Sequence, residues 1–320
     1  MQSTSRVQLV QLLLFGAALY VVSLALPPYW TGLLTEALIW SLFALSLDIL
    51  LGHAGLPSLG HAAFYGMGGY AAAIGFLKAG CGFWLSLALG VGAAALLALV
   101  FGLLALRTTG VYFLMITLAL AQILWGVAYS WRSLTNGDDG LRSITRETTE
   151  FLGLRFGVTG DYFLFVLAVF VLAAAAILVL LRSPFGQALR GVRESAERME
   201  ALGYNTWLYK LLAFVIAGAL AGLAGVLFVF NKNYISPEAT GIVMSAEVML
   251  MIILGGAGTL FGPVIGAFVI VFLSYLVAEL TERWTLILGA IYVLVVLLAP
   301  RGITGLYEDF RLRWKRRSAR

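Results

Sequence analysis

Two histidines, His53 and His61, fall eight residues apart in a glycine-rich stretch, 52–73, that reads GHAGLPSLGHAAFYGMGGYAAA. As metal ligands they would need Cys, Asp or Glu nearby to complete a coordination set. The stretch contains none, so no metal is expected. Gly66-Met67-Gly68-Gly69-Tyr70-Ala71 has the letters of a dinucleotide fingerprint, but that loop cradles a pyrophosphate only between a strand and a helix, and no strand pattern precedes it. The P-loop pattern G-x-x-x-x-G-K-[ST] is absent, so the chain is not expected to bind or hydrolyse ATP by itself. What remains are three carboxylates inside apolar runs: Glu36, Asp48 and Glu247. Such groups either hydrogen-bond between helices or line a polar route, and three isolated ones do not form a proton relay. No catalytic residue and no cofactor are expected.

The elements that carry these residues are set by composition. Of the 320 residues, 61% are hydrophobic and 12% are charged, a balance foreign to soluble domains. Apolar runs, most of them roughly 20 residues and so enough for helical spans, recur near 9–26, 31–51, 61–78, 82–106, 111–130, 161–181, 210–230, a short 242–254, 261–279 and 284–300. Alternating strand patterns of about ten residues are absent, which excludes an outer-membrane barrel. The expected fold is therefore all-α: a polytopic membrane protein of about ten spanning or re-entrant helices, with 1–320 as one domain. The first run follows Arg6 and ends near Ser23-Leu24-Ala25, like a weak cleavage site, but is read as a retained helix. The single cysteine, Cys81, allows no internal disulfide. Seven of the 21 Lys and Arg lie in 301–320, a basic tail suited to an anionic cytoplasmic membrane surface rather than to nucleic acid. Counting back from a cytoplasmic tail puts 182–209, 107–110 and the N-terminus inside, and 131–160 and 231–241 outside. Tyr29-Trp30, Tyr129, Trp131, Trp207, Tyr209 and Trp284 fall at run boundaries, as interfacial aromatics do.

A weak repeat links two of the runs. Leu51-Gly52-His53-Ala54-Gly55 returns as Leu254-Gly255-Gly256-Ala257-Gly258, and Pro57 and Pro263 follow the two copies. The second copy continues into Gly258, Gly262 and Gly266, a tandem GxxxG. Glycines at this spacing let helices pack closely. Paired Gly/Pro-interrupted segments in two halves also point to a pathway between broken helices. The candidate pathway residues are Asp48, Gly52, His53, Gly55, Ser58, Gly60, His61, Glu247, Gly255, Gly256 and Gly258.

The most informative polar segment is SPFGQALRGVRESAERMEALG, 183–203. Ser183 suits an N-cap, Pro184 the first helical position and Gly203 the stop. Phe185, Leu189, Val192, Ala196, Met199 and Leu202 make one apolar face. The pairs Arg190–Glu194, Arg193–Glu197 and Glu194–Arg198 lace the other at i,i+4 spacing. A helix over 184–202 is predicted, either lying on lipid or docking into another protein's groove.

Several long motifs together resemble the permease subunits of ATP-binding-cassette importers for branched-chain amino acids, the LivM/LivH family. They are, in order, LGHAGLPSLGHAAFYGMGGYAAA, LRTTGVYFLMITLALAQIL with WRSLTNGDDGL, SPFGQALRGVRESAERMEALGYNTWLYKLLAFVIAGALAGLAGVLF, LGGAGTLFGPVIGAF and LAPRGITGL. The resemblance implies a multi-pass inner-membrane protein with a cytoplasmic C-terminus. Its partners would be a second homologous permease, two ATPase subunits and an external substrate-binding protein. It also implies that 182–209 is the coupling loop, with Phe185, Arg190, Arg193, Glu194, Glu197 and Gly203 facing the ATPase, and that Asn136, Asp138 and Asp139 contact the binding protein. On the residues alone, those three make an Asx-type turn with solvated carboxylates. The sequence departs from the family at Asp48, where Asn is common, and at His53 and Pro57, where Tyr and Gln are common nearby. Substrate identity is therefore open among branched-chain amino acids, other amino acids, urea and amides. The rival reading is a self-sufficient channel or secondary transporter for a small solute such as urea or an amide.

Overall fold

The computed structural model describes residues 2–146, 149–151 and 153–280, and beyond them positions 283, 286, 287, 289, 290, 293, 302 and 303. Most of the predicted crossing at 284–300, with Trp284, and most of the basic tail 301–320 lie outside the described residues. Every other predicted crossing is a helix. In order these are α1 (Gln2–Ala25), α2 (Pro28–Asp48), α3 (Ala62–Leu77), α4 (Phe83–Ala105) and α5 (Val111–Ser130). After a short turn of helix, α6 (Arg132–Thr135), come α7 (Thr159–Arg182), α8 (Pro184–Glu194), α9 (Ala196–Ala201), α10 (Thr206–Lys232), α11 (Ile242–Gly255) and α12 (Phe261–Leu280). Among the described residues seven helices are long and apolar enough to cross a membrane; the protein is a polytopic all-α membrane protein.

Burial ranks the spans. Along α2 and the turn after it, 89% of the apolar window is buried, against 11% for α1, so α2 is the central post and α1 lies at the periphery. Helices α3, α4 and α10 pack on one another through glycine. A side chain on Gly68 would come within 2.5 Å of the Gly222 Cα, and one on Gly225 would collide with the Tyr65 carbonyl. Where the hydrophobic effect cannot drive helices together, such backbone proximity supplies the dispersion contact.

The bundle has two distinct ends. At one, Arg182 donates to the Gln8 side chain, and α8 packs under the end of α2. At the other, a two-residue strand β1 (Leu141–Arg142) pairs antiparallel with β4 (Tyr234–Ile235), joining the 131–158 and 233–241 connections. A small hairpin, β2 (Glu150–Phe151) with β3 (Leu154–Arg155), lies in the first of these connections. Arg146 pins it by donating to the Phe230 carbonyl (2.8 Å) and by lying 3.9 Å over the Tyr162 ring. Burial holds its pKa below the ordinary arginine value, and Tyr162 pulls it back. Tyr29, Trp30 and Tyr275 cluster at this same end.

Several local expectations are corrected. The segment 184–202 is not one helix. It breaks at Ser195, whose extended backbone (φ −162°, ψ 105°) starts α9, with its hydroxyl accepting from the Arg198 N–H. The break separates Arg193 from Glu197 and Glu194 from Arg198, and among the described residues none of the three predicted i,i+4 ion pairs forms. Ser183 precedes α8 as expected, but its hydroxyl donates backwards to the Leu180 carbonyl (2.7 Å) rather than capping. Pro263 does not break a helix; it sits in the first turn of α12, where its missing N–H has no intrahelical role.

Candidate functional site

Two of the helices are too short to cross. At ~1.5 Å per residue, α3 and α11 reach only about 24 and 21 Å against a hydrocarbon core of about 30 Å. Their starts meet inside the bundle, where the Ala62 N–H donates to Ser245 Oγ at 3.0 Å and Gly66 faces Thr240. The irregular backbone that leads into each is 55–61 for α3 and 233–241 for α11. Non-helical backbone at this depth is tolerated only inside protein or along a water-filled cavity.

The repeated glycine motifs come together at the α8 end. Helix α2 loosens into a π-helical turn, Ile49–Ala54, closed by Gly55 at φ +70°. Against it lies the turn after α11, where Gly256 and Gly258 have φ of +112° and +80°, conformations that glycine alone adopts cheaply. The Gly258 N–H donates to Asp48 Oδ1 at 2.8 Å, joining the two copies across 210 residues of sequence. His53 closes the near side, its Nδ1 3.2 Å from the Asp48 carbonyl oxygen and 3.6 Å from Oδ2. Into this seam reaches α8: Arg193 donates to the Gly52 carbonyl, and its guanidinium lies 3.7 Å from where a Gly258 side chain would begin. The other proposed pathway residues are placed close by. Gly255 meets the Gly262 backbone of α12, and Gly60 meets the Thr117 carbonyl of α5. Ser58 is buried and accepts from the Gly60 N–H. His61 is buried too, its Nε2 2.8 Å from Ser46 Oγ and its ring stacked on Phe43.

Asp48 gives a first test of the seam. Asp48→Asn keeps an oxygen for the Gly258 N–H and is expected to hold the thermal midpoint of the purified protein. Asp48→Ala strands that donor at a cost of about 1–3 kcal/mol and is expected to lower the thermal midpoint of the purified protein. Equal midpoints for the two variants would remove the bond's role.

Glu247 stands apart from the seam. It lies in α11 and lines a separate cavity of about 770 Å³ between α5, α10 and α11, with Gln122, Trp125, Phe228, Lys232 and Glu238. Glu36 is tied to that region by a 2.7 Å ion pair with Lys232. Sequence reasoning missed Lys232, Glu238 and Gln122. Lys232 ends a span and looks like an ordinary boundary cation until the fold sets Glu36 beside it.

On α8, Phe185 stacks on Tyr209 (5.5 Å) and Arg190 donates to the Leu181 carbonyl (2.7 Å), while Glu194 at its end and Glu197 on α9 are exposed. Gly203, at φ +86°, ends the segment. At the opposite end of the bundle, Asn136 takes a left-handed turn (φ +64°) and its amide donates to the Gly140 carbonyl, leaving Asp138 and Asp139 exposed. Among the described residues no group of three or more His, Cys, Asp or Glu could hold a metal ion.

Comparison with known proteins agrees with this architecture. The LivM permease protein of the high-affinity branched-chain amino acid transport system of Escherichia coli K12 is 29% identical over 315 residues, covering 91% of this chain and 74% of its own length. A probable branched-chain amino acid transport permease LivH of Methanocaldococcus jannaschii is 30% identical over 62% of this chain and 66% of its own. An autoinducer 2 import permease, LsrC of Photorhabdus laumondii, is 27% identical over 42% of this chain and 41% of its own. No solved structure gives a significant match. The family model for the permease component of branched-chain amino acid transport systems matches residues 29–297, and the chain belongs to that family.

Proposed function

We propose that this chain is the membrane-spanning permease subunit of an ATP-binding-cassette importer for branched-chain amino acids or a related small polar solute. It provides half of an alternating-access path and performs no covalent chemistry. A second homologous permease supplies the other half, two separate ATPase subunits hydrolyse ATP, and an external binding protein delivers the solute. In this reading the whole chain is one permease domain in a bacterial-type inner membrane. Segment 182–209 and the tail 301–320 are cytoplasmic, and Asn136, Asp138 and Asp139 lie outside, facing the binding protein.

The observation that supports this most is the reach of Arg193 from α8 to the Gly52 carbonyl, beside the Asp48–Gly258 bond. Exposed Glu194 and Glu197 occupy the same segment as a guanidinium that holds the joint between the two broken-helix motifs. A push on α8 therefore arrives where glycine turns let α2 and α11 move relative to each other. Helices lying on lipid have no need of such a contact.

Affinity purification of the tagged chain from native membranes in mild detergent is expected to retain a homologous permease and P-loop ATPases. Recovery of the chain alone, under conditions that preserve other membrane complexes, would favour a self-sufficient carrier. Within the assembled complex, Glu194→Lys with Glu197→Lys is expected to cut the import obtained per ATP by at least about fivefold, as like charges meet across a docking face. Unchanged coupling with assembly intact would remove the docking role of α8.

A further inference from the structure

We propose that the cavity between α5, α10 and α11 holds the zwitterion of an apolar α-amino acid, with its ammonium group on Glu247 and its carboxylate on Lys232. The inference rests on the importer reading and narrows its solute class to ammonium-bearing molecules, excluding urea and simple amides.

The cavity's size, about 770 Å³, falls within the roughly 300–1,000 Å³ of small-molecule sites. Its wall is mostly apolar, with Trp125, Phe228 and Ile242 giving an aliphatic side chain a surface to cover. The polar groups are few and opposed in sign. Glu247 lies about a turn and a half into α11, and among the described residues it makes no hydrogen bond or ion pair. A half-buried carboxylate without a partner is costly, and a ligand cation removes that cost. Urea and neutral amides bring no charge to do so. Lys232 stands at the end of α10 and gives one N–H to Glu36 at 2.7 Å. An ammonium has three donors, so others are free for a ligand carboxylate. Glu238 adds a second negative charge to the lining, which disfavours a solute carrying only a carboxylate.

The test is equilibrium dialysis of labelled leucine against the purified full assembly without its binding protein. Two unlabelled competitors are added: leucinamide, which keeps the ammonium and lacks the carboxylate charge, and 4-methylpentanoate, which keeps the carboxylate and lacks the ammonium. Leucinamide is expected to displace leucine, and 4-methylpentanoate to fail at a concentration at least about tenfold higher, the discrimination of one charge-assisted contact. Glu247→Gln is expected to weaken leucine binding by at least about tenfold, and Glu247→Asp to stay within about threefold. The competition arm uses the unaltered chain, so it stands even where E247Q fails to assemble. Equal competition by the two analogues, leucine binding by E247Q at the wild-type level, or no leucine bound by the assembly would each overturn the site. Import of leucine by the same preparation separates the two claims. ATP-dependent import without this binding pattern overturns the site alone, and an assembly without ATPases or import overturns the reading beneath it.

Discussion

Arg193→Ala is expected to lower the import obtained per ATP hydrolysed by at least about tenfold in the reconstituted complex, with Arg193→Lys in between. The guanidinium is the one side chain of α8 that donates to the π-helical turn after α2, and among the described residues its contact with the seam is a backbone carbonyl rather than a carboxylate. A hydrogen bond from a charged donor contributes about 1.5–3 kcal/mol, which is of the order of tenfold to a hundredfold in the equilibrium it biases. Lysine carries the charge but not the planar fork, so it can reach the Gly52 carbonyl without also bracing the Gly55 and Gly258 turns, which lie against the arginine stem and head. The measurement is paired: solute accumulation and phosphate release in the same proteoliposomes. If both fall in proportion for Arg193→Ala, the residue serves folding or assembly and the seam is not the route of coupling.

Much of this arrangement is legible in the sequence, and the reasons are physical. Long apolar runs have one stable form in a bilayer, so the seven span-length helices among the described residues could be placed from hydropathy alone. The likeness of 51–55 to 254–258 drew attention to two turns that the fold then sets against each other, with Asp48 as the tie. The 184–202 segment was harder, because a continuous apolar face and i,i+4 charges favour one helix. A single Ser195 that can cap a new start outweighs pairs worth a few tenths of a kcal/mol each. Pairings that depend on tertiary folding left no trace at all. Nothing in local pattern ties Glu36 to Lys232, 196 residues away, or separates Glu247, which lines a cavity, from Asp48, which closes a turn. Carboxylates in apolar runs read alike until the partner is known.

The glycines divide in a similar way, and they give the other large effect. Gly225→Ala is expected to destabilise the protein by about 3 kcal/mol, seen as a marked drop in the temperature at which the detergent-purified chain loses its monodisperse peak. Its methyl group would be driven into the Tyr65 carbonyl of α3, and backbone cannot swing aside as a long side chain can. Relief would require α3 and α10 to separate along their length, breaking the Gly68–Gly222 approach one turn away and disturbing the Tyr162 hydroxyl bond to the Leu227 carbonyl (2.7 Å). The same substitution at Gly126 in α5 or Gly92 in α4 meets nothing within 4 Å. There, alanine should stabilise by about 0.5–1 kcal/mol through helix propensity alone. One chemical change thus carries opposite signs on two faces of the bundle. A Gly225→Ala midpoint equal to or above that of Gly126→Ala would mean that α3 and α10 are not held at backbone distance. The close packing of α3, α4 and α10 through glycine would then lose its basis.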